Sequence, residues 1–392
     1  MPVIRSLLDT DLYKLTMMQF ALHQCPDVYV KYAFKCRTEG VDFSPIKARI
    51  QDEINYMNRL SFKEDELMYL RDLRFMKRDF IDFLRTFKLH SRYVHISDSD
   101  SEGLSIIVEG PWVQTILYEI YILRTVNALY FDNLCSSKDR NELFKEGEKK
   151  LSASLSNIQT MKGVSFADFG TRRAFSPEWH ARVIKLLTQP EIFPGFIGTS
   201  NVLFAKEYGL KPIGTMAHEV FQVCQALTKP EWSQRYALQT WADEYRGDLG
   251  IALSDTLGLQ KFLKDFDMYF AKLFDGVRQD SGSPTDWVEK VIRHYEDMGI
   301  DPTTKSAVFS DGLDFKNVAK IHTYVRGRIK DAYGVGTHLT NNLGPEPIQI
   351  VMKVIEAGRD PENLQPVAKL SDSTGKEMCR DKDYVDYLKK VI

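Results

Sequence analysis

The sequence predicts an α/β protein in two parts: an α+β first part, then a second part built from repeated strand–corner–helix units. Three observations predict it. Up to about residue 112, alternating strand text and helical stretches are mixed without a βα rhythm. From about residue 160, short apolar segments each end in a Gly-, Asp- or Ser-rich corner, and a helical stretch follows. The composition is ordinary for a globular chain, with 392 residues, 43% hydrophobic, 27% charged and 12% aromatic, enough for two or more cores. Strand–corner–helix repeated this often means a β/α barrel or a wound parallel sheet. In either, the corners at strand C-terminal ends gather on one face, where sites are built.

Taken in order, residues 13–24 read as a helix, with Thr10 or Asp11 as its cap. Residues 28–38 alternate apolar and polar and predict a strand. Residues 45–88 carry helical periodicity. YVHIS, a polar turn from Asp98 to Gly103, and LSIIVEG predict a hairpin. Residues 113–131 predict a buried helix bridging to the second part. The later corners are VSFADFGTRR, GFIGTSN, KPIGTMAHE, MYFAKLFDGVRQDSG, SAVFSDGLD and DAYGVGTHLTN, with a further unit at IALSD. The tail, PVAKLSDSTGKEMCR, returns to strand-like text with a turn at Ser371 to Gly375. The expected division is 1–125 for the first domain, rejoined by 345–392, and 126–344 for the second.

Several function classes are disfavoured. A net charge of -2, from 52 basic and 54 acidic residues, gives no nucleic-acid coat. No apolar run approaches the ~20 residues that cross a bilayer; the best, Trp112 to Leu123, is broken by Gln114 and Glu119. Asp9 and Asp11 interrupt the first apolar stretch, so no signal peptide is expected. Cys25, Cys36, Cys135, Cys224 and Cys379 form no C-x-x-C pair, which suits thiols in a reducing cytoplasm.

The corners carry the chemistry. Arg172 and Arg173, after Asp168-Phe169-Gly170, offer bidentate donors for phosphate or carboxylate; the bland reading is a surface ion pair with Asp168. Arg278, Asp280 and the Ser-Gly turn before Pro284 suit a sugar phosphate, or a helix cap box, or both. Asp311 suits a diol or a magnesium-bound phosphate, or a plain Asp-Gly turn. The Gly334-Val335-Gly336-Thr337 loop can cradle phosphate, but it lacks the third glycine of a dinucleotide fingerprint. His218-Glu219 begins like a zinc-protease motif, yet Gln222 replaces the second histidine. The imidazole can instead attack phosphorus, with Glu219 orienting the ring, or can be a structural histidine. The remaining histidines predict no metal cluster.

Together, LLDTDLYKLTMMQ, FADFGTRRAFS, GFIGTSN, GTMAHE, DGVRQDSGSP, FSDGLDF and GVGTHLTNN resemble the nicotinate phosphoribosyltransferase family, in order and over essentially the whole chain. The resemblance implies a type II phosphoribosyltransferase fold: an N-terminal α/β sandwich-like domain and an irregular β/α barrel. It implies transfer of phosphoribosyl from phosphoribosyl pyrophosphate to nicotinate, coupled to ATP hydrolysis through a phosphohistidine. Magnesium is then carried by the substrates, no protein-held metal or organic prosthetic group is expected, and a homodimer is compatible. His218 matches the phosphorylated histidine. Tyr13 and Phe169 match the aromatic pair around the pyridine ring, the tyrosine coming from the neighbouring subunit in dimeric relatives. Arg172 and Arg278 match arginines near the ring substituent and phosphates. Asp280 and Asp311 match carboxylates around the ribose and pyrophosphate, Gly336 and Thr337 the 5′-phosphate loop, and Arg37 a basic residue reaching the pyrophosphate. Nicotinamide-using cousins have an aspartate where Ser200 stands, so Ser200, with Asn201 nearby, is expected to donate to a carboxylate and favour nicotinate. The rivals are the nicotinamide enzyme, the shorter quinolinate enzyme and a non-catalytic phosphate sensor.

Overall fold

The computed structural model describes residues 2–99, 103–189, 195–373, 379 and 381–392. The first helix, α1 (Leu12–Gln24), precedes strand β1 (Tyr29–Cys36). Three helices follow, α2 (Lys47–Met57), α3 (Glu64–Arg71) and α4 (Arg78–Thr86), then the hairpin β2 (Val94–Ser99) and β3 (Gly103–Pro111). Residues 100–102 of the expected hairpin turn lie outside the described residues. The bridging stretch is α5 (Trp112–Thr115) and α6 (Tyr118–Leu134), succeeded by α7 (Arg140–Leu155).

The second part runs β4 (Phe166–Asp168), α8 (Pro177–Leu187), β5 (Phe196–Thr199), α9 (Val202–Tyr208), α10 (His218–Leu227), α11 (Ser233–Tyr245) and β6 (Ile251–Leu253). It continues through α12 (Leu259–Asp265), α13 (Met268–Leu273), β7 (Gly276–Gln279), α14 (Pro284–Asp297), β8 (Ser306–Phe309), α15 (Phe315–Val325), β9 (Lys330–Val335) and α16 (Thr337–Thr340). The tail holds β10 (Ile350–Gly358), β11 (Gln365–Pro366) and α17 (Lys382–Val391).

Among the described residues these strands form two sheets. One is antiparallel, in the order β11-β10-β1-β3-β2, so a strand from the tail lies beside the first strand of the chain. Its period-2 alternation is visible in β1, where Val30, Tyr32 and Phe34 are buried while Lys31, on the other face, pairs with Glu109 and Glu356 across both neighbours. The second sheet is parallel, in the order β5-β4-β9-β8-β7-β6. Its edges are joined by an irregular stretch: Ile213 N–H donates to Thr199 O at 2.9 Å, and Thr215 Oγ1 donates to Ile251 O at 3.0 Å. This is an irregular β/α barrel.

Three expected segments fold otherwise. KPIG makes only a bridge from Pro212 to Thr199, because proline has no N–H to continue a ladder. MYFAKL is helical, since Asp267 caps it by accepting from Tyr269 N–H at 3.0 Å and Phe270 N–H at 3.3 Å; the strand there begins at Gly276. The tail strand stops at Pro366, and Leu370 N–H turns away to Thr256 O at 2.9 Å. Residues 374 and 375 of the expected tail turn, and 376–378 after it, lie outside the described residues. No helix among the described residues is long and apolar enough to cross a membrane.

Buried polar groups lock the β4 and β5 corners. Arg124, fully buried on α6, donates through Nε to Asp9 at 3.2 Å and through Nη1 to His180 Nδ1 at 3.1 Å. Arginine only donates, so the His180 proton lies on Nε2, which donates to Asp168 at 2.7 Å. Asp168 also accepts from Thr199 Oγ1 at 2.6 Å and Gly170 N–H at 2.8 Å. Burial alone would raise its pKa, but His180, Thr199 and Gly170 outweigh burial and hold it below the usual value. The expected surface pair between Asp168 and the adjacent arginines does not form, because Asp168 is fully buried and its oxygens are taken.

Removing one member strands its partners. Arg124→Met is expected to destabilise the fold by about 3–5 kcal/mol, read by urea denaturation; a loss below about 1 kcal/mol contradicts a locking role.

Candidate active site

Six corners converge at the carboxyl ends of the parallel strands. Phe169 and Arg172 follow β4, Ser200 follows β5, Asp255 follows β6, Asp280 follows β7, Asp311 follows β8, and Gly336 and Thr337 follow β9. Arg278 lies in β7 and His218 opens α10. The antiparallel sheet and tail add cations: Arg37 just beyond β1, Lys353 in β10 and Lys369 beyond β11.

His218 is held by an aspartate that the sequence reading did not single out. Its Nε2 donates to Asp255 Oδ1 at 2.7 Å and lies 3.6 Å from Asp280 Oδ2. The other oxygen of Asp255 accepts from Ser281 Oγ at 2.6 Å and Lys369 Nζ at 2.9 Å. Burial, then the nearby Lys369 ammonium, lower the His218 pKa to about 4, against the pull of Asp255 and Asp280. The ring is therefore neutral at pH 7, and with its proton on Nε2 the Nδ1 lone pair is available. The same three residues, His218, Asp255 and Asp280, bring one ligand atom each within 4.8 Å of one another. Asp255 is already satisfied by Lys369 and Ser281, so this cluster reads as a held imidazole.

Glu219 does not orient that ring, contrary to expectation. Its Oε1 accepts from Tyr32 Oη at 2.5 Å and Trp112 Nε1 at 2.6 Å, and its Oε2 pairs with Lys14. Lys14, fully buried, also pairs with Glu119 at 2.6 Å. Glu119 in turn meets Lys353 Nζ at 3.2 Å and Arg172 Nη1 at 4.0 Å. Burial would raise the Glu119 pKa; Lys14, Lys353 and Arg172 instead bring it to about 2.

Ser200 is also differently employed. Its Oγ donates to Asp11 Oδ1 at 2.6 Å, so its one proton is not free for a ligand carboxylate. Asn201 donates to Asp9 at 2.7 Å and accepts from Phe204 N–H at 3.0 Å, which makes it the cap of α9. Asp11 stands at the cap position of α1 without capping it; burial raises its pKa against the hydrogen bonds of Ser200 and Thr171 and the charge of Arg172. Tyr13 lies within electrostatic reach of Arg172 and Arg278 of its own chain. Phe169 is packed so closely on Gly334 that a Cβ there would lie 2.3 Å from the ring.

The arginines are crowded. Burial, then Arg172 and Arg37, lower the Arg173 pKa to about 9, and burial also lowers that of Arg37. Arg173 Nη1 donates to neutral Gln349, at 2.6 Å. Arg278 Nη2 sits 3.7 Å from Asp280, whose other oxygen accepts from Ser310 at 2.9 Å. Guanidinium groups packed together with few counter-ions are what an anionic ligand neutralises. Ser283 accepts from Asp286 N–H and caps α14, so the bland reading of that turn holds beside the placement of Asp280.

Asp255 had a signal, a carboxylate after the apolar IAL of a suspected unit. Lys353 and Lys369 had little, being single charges in strand-like text far along the chain. Lys14 and Glu119 showed only as charges inside apolar helices.

Fold and site define an α/β barrel protein whose strand ends gather arginines, carboxylates and a neutral histidine for an anionic ligand. A sequence profile described as the nicotinate phosphoribosyltransferase (NAPRTase) family matches residues 164–392, and one for that family's N-terminal domain matches residues 8–127. A nicotinate phosphoribosyltransferase of Burkholderia mallei is 50% identical over 396 residues, covering 100% of this chain and 97% of its own. The crystal structure of a nicotinate phosphoribosyltransferase from Vibrio cholerae superposes with a TM-score of 0.93 at 37% identity, over 99% of this chain and 94% of the other. One from Porphyromonas gingivalis gives 0.92 at 32% identity, over 99% and 100%. The chain belongs to the nicotinate phosphoribosyltransferase family.

Two outcomes are expected. Gly334→Ala forces the Phe169 ring away and should lower turnover or ligand affinity roughly tenfold at near-native stability; unchanged kinetics contradict a positioned ring. Because the folded pKa of His218, about 4, lies below the ~6.5 of an unfolded histidine, the unfolded state binds the extra proton between these values. Stability from this group is complete above about pH 6.5 and falls by about 2 kcal/mol from pH 7 to 5. His218→Asn should flatten that slope in urea denaturation; the same slope in both proteins contradicts it.

Proposed function

We propose that the chain transfers phosphoribosyl from phosphoribosyl pyrophosphate to nicotinate, giving nicotinate mononucleotide and pyrophosphate, and that ATP drives this through phosphorylation of His218. The single observation that carries the reading is His218, neutral and held at Nε2 by Asp255, at the strand-end face that also carries Arg172 and Arg278, in a chain of this family. The coupled reaction is a pyridine-nucleotide salvage step in the cytoplasm.

The priming step forms a bond between His218 Nδ1 and the γ-phosphorus of ATP and breaks its bond to ADP. Asp255 keeps the Nε2 proton and steadies the charge that grows on the ring. In the transfer step the pyridine nitrogen gives its lone pair to ribose C1′ as the bond to pyrophosphate breaks. Positive charge grows on the ribose and negative charge on the leaving group. Asp280 and Asp311 are assigned to the ribose and pyrophosphate side, and Arg37, Arg173 and Arg278 to the phosphates. Gly336 and Thr337 are assigned to the 5′-phosphate. Tyr13 and Phe169 position the ring, which is chiefly an orientation effect. Hydrolysis of the N–P bond then returns His218 and releases phosphate.

Asp280 and Asp311 offer the hard oxygen donors that suit magnesium. Carried in by the phosphorylated substrates, it would be held by these carboxylates and would supply charge neutralisation at the leaving group.

Preference for the acid is assigned to Arg172, with Ser200 keeping the position beside Asp11 uncharged. Ser200→Asp would set a second carboxylate against Asp11, repelling a bound acid.

The test is product formation by the purified protein with magnesium, phosphoribosyl pyrophosphate and either nicotinate or nicotinamide, with and without ATP. Product from nicotinate alone, faster with ATP and accompanied by ADP, is expected; no product from either base overturns the reading. His218→Ala should remove the ATP stimulation and leave slow ATP-independent synthesis. Ser200→Asp should lower kcat/KM for nicotinate roughly tenfold or more, and intact use of nicotinate would contradict the charge argument.

A further inference from the structure

We propose that Lys14 is a positioning residue that couples the phosphorylation state of His218 to the residues around the base, acting through Glu219 on one side and Glu119 on the other. The inference rests on the phosphohistidine reading above.

The path is short and continuous. Glu219 follows His218 in the first turn of α10 and pairs with Lys14. Lys14 pairs with Glu119, and Glu119 meets Lys353 and Arg172. Lys14 also follows Tyr13 on α1. The same helix touches the approach to His218, since Thr16 Oγ1 donates to Thr215 O at 2.7 Å. Thus α1 carries Tyr13, Lys14 and Thr16 against both the base side and the histidine side.

Stability alone gives a poor reason for this arrangement. Lys14, Glu119 and Glu219 are all buried, and an apolar core of the same shape would serve folding as well or better. What the charges add is sensitivity. Buried charges are weakly screened, so a change at one end is felt along the path.

Phosphorylation supplies such a change. A phosphoryl group brings a charge of about -1.5 to -2 onto the residue that precedes Glu219 in the first turn of α10, on a different face from the Glu219 carboxylate but within a buried, weakly screened region. Repulsion shifts Glu219 and weakens its hold on Lys14. Lys14 then turns toward Glu119, and Glu119 loosens its grip on Arg172 and Lys353. Those cations become available to the ligand, and Tyr13 moves with its neighbour. The path therefore has two arrangements, one with Lys14 shared between two carboxylates and one with Lys14 drawn to Glu119.

The experiment uses the full chain. Initial rates of mononucleotide formation are measured against nicotinate, with and without ATP, for wild type, Lys14→Met, Lys14→Arg and Glu119→Gln. Acid-labile phosphate on each protein is measured in parallel. Lys14→Met and Glu119→Gln are expected to keep phosphorylation of His218 but to lose about fivefold or more of the ATP-induced rise in kcat/KM for nicotinate, the low end of site-to-site coupling. Lys14→Arg, which keeps the charge, should retain most of it. If Lys14→Met does not fold, Glu119→Gln carries the same comparison, because it removes charge without removing volume. An ATP effect kept in full, or an equal loss in both arms, overturns the proposal. A wild type without phosphohistidine and without an ATP effect defeats the functional reading and this inference together. A phosphorylated wild type whose ATP effect all variants share defeats the inference alone.

Discussion

A carboxylate taken out of water must find a cation or several hydrogen-bond donors, or it costs several kcal/mol. That constraint organises this protein. Asp9, Asp168, Glu119, Glu219 and Asp255 are all buried, and each is answered by a residue from another element, most of them far along the chain. Arg124 on α6 answers Asp9. His180 answers Asp168, and Lys14 on α1 answers Glu119 and Glu219. Lys369, from the tail, answers Asp255. The barrel corners, the first helix and the last strands are fixed to one another by these pairings.

The chemistry inherits its geometry from the same pairings. Asp255 can hold the His218 proton on Nε2 because Lys369 and Ser281 keep Asp255 ionised and still; burial alone would raise its pKa, and these partners with His218 depress it strongly. Glu219, one residue along the helix, is turned into the core by Lys14, Tyr32 and Trp112. Two adjacent residues of α10 therefore face opposite surroundings, one toward the ligand face and one toward the buried network.

Much of the architecture was legible in the residues. The strand–corner–helix rhythm marked β4, β5, β7, β8 and β9, and IALSD marked β6, because parallel strands between helices read as short apolar runs. Helix and strand could not be separated for MYFAKL, a short apolar run whose cap, Asp267, decides it. KPIG failed as a strand because one proline removes the needed donor. Site residues at corners were visible as residue types, but their partners were not. Hydrogen-bond direction is a property of space: Ser200 points its proton at Asp11, and Glu219 points away from His218. Lys353 and Lys369 reach the site only because β10 and the residues after β11 return to it, which no local pattern announces.

In the proposed reaction, Asp255 fixes which nitrogen of His218 is the nucleophile. The most direct measurement is phosphorus and nitrogen NMR of the ATP-treated protein labelled with nitrogen-15 in histidine. One phosphohistidine is expected, at residue 218, with phosphorus on Nδ1 and the proton on Nε2. Phosphorus on Nε2, or on any other residue, would contradict it.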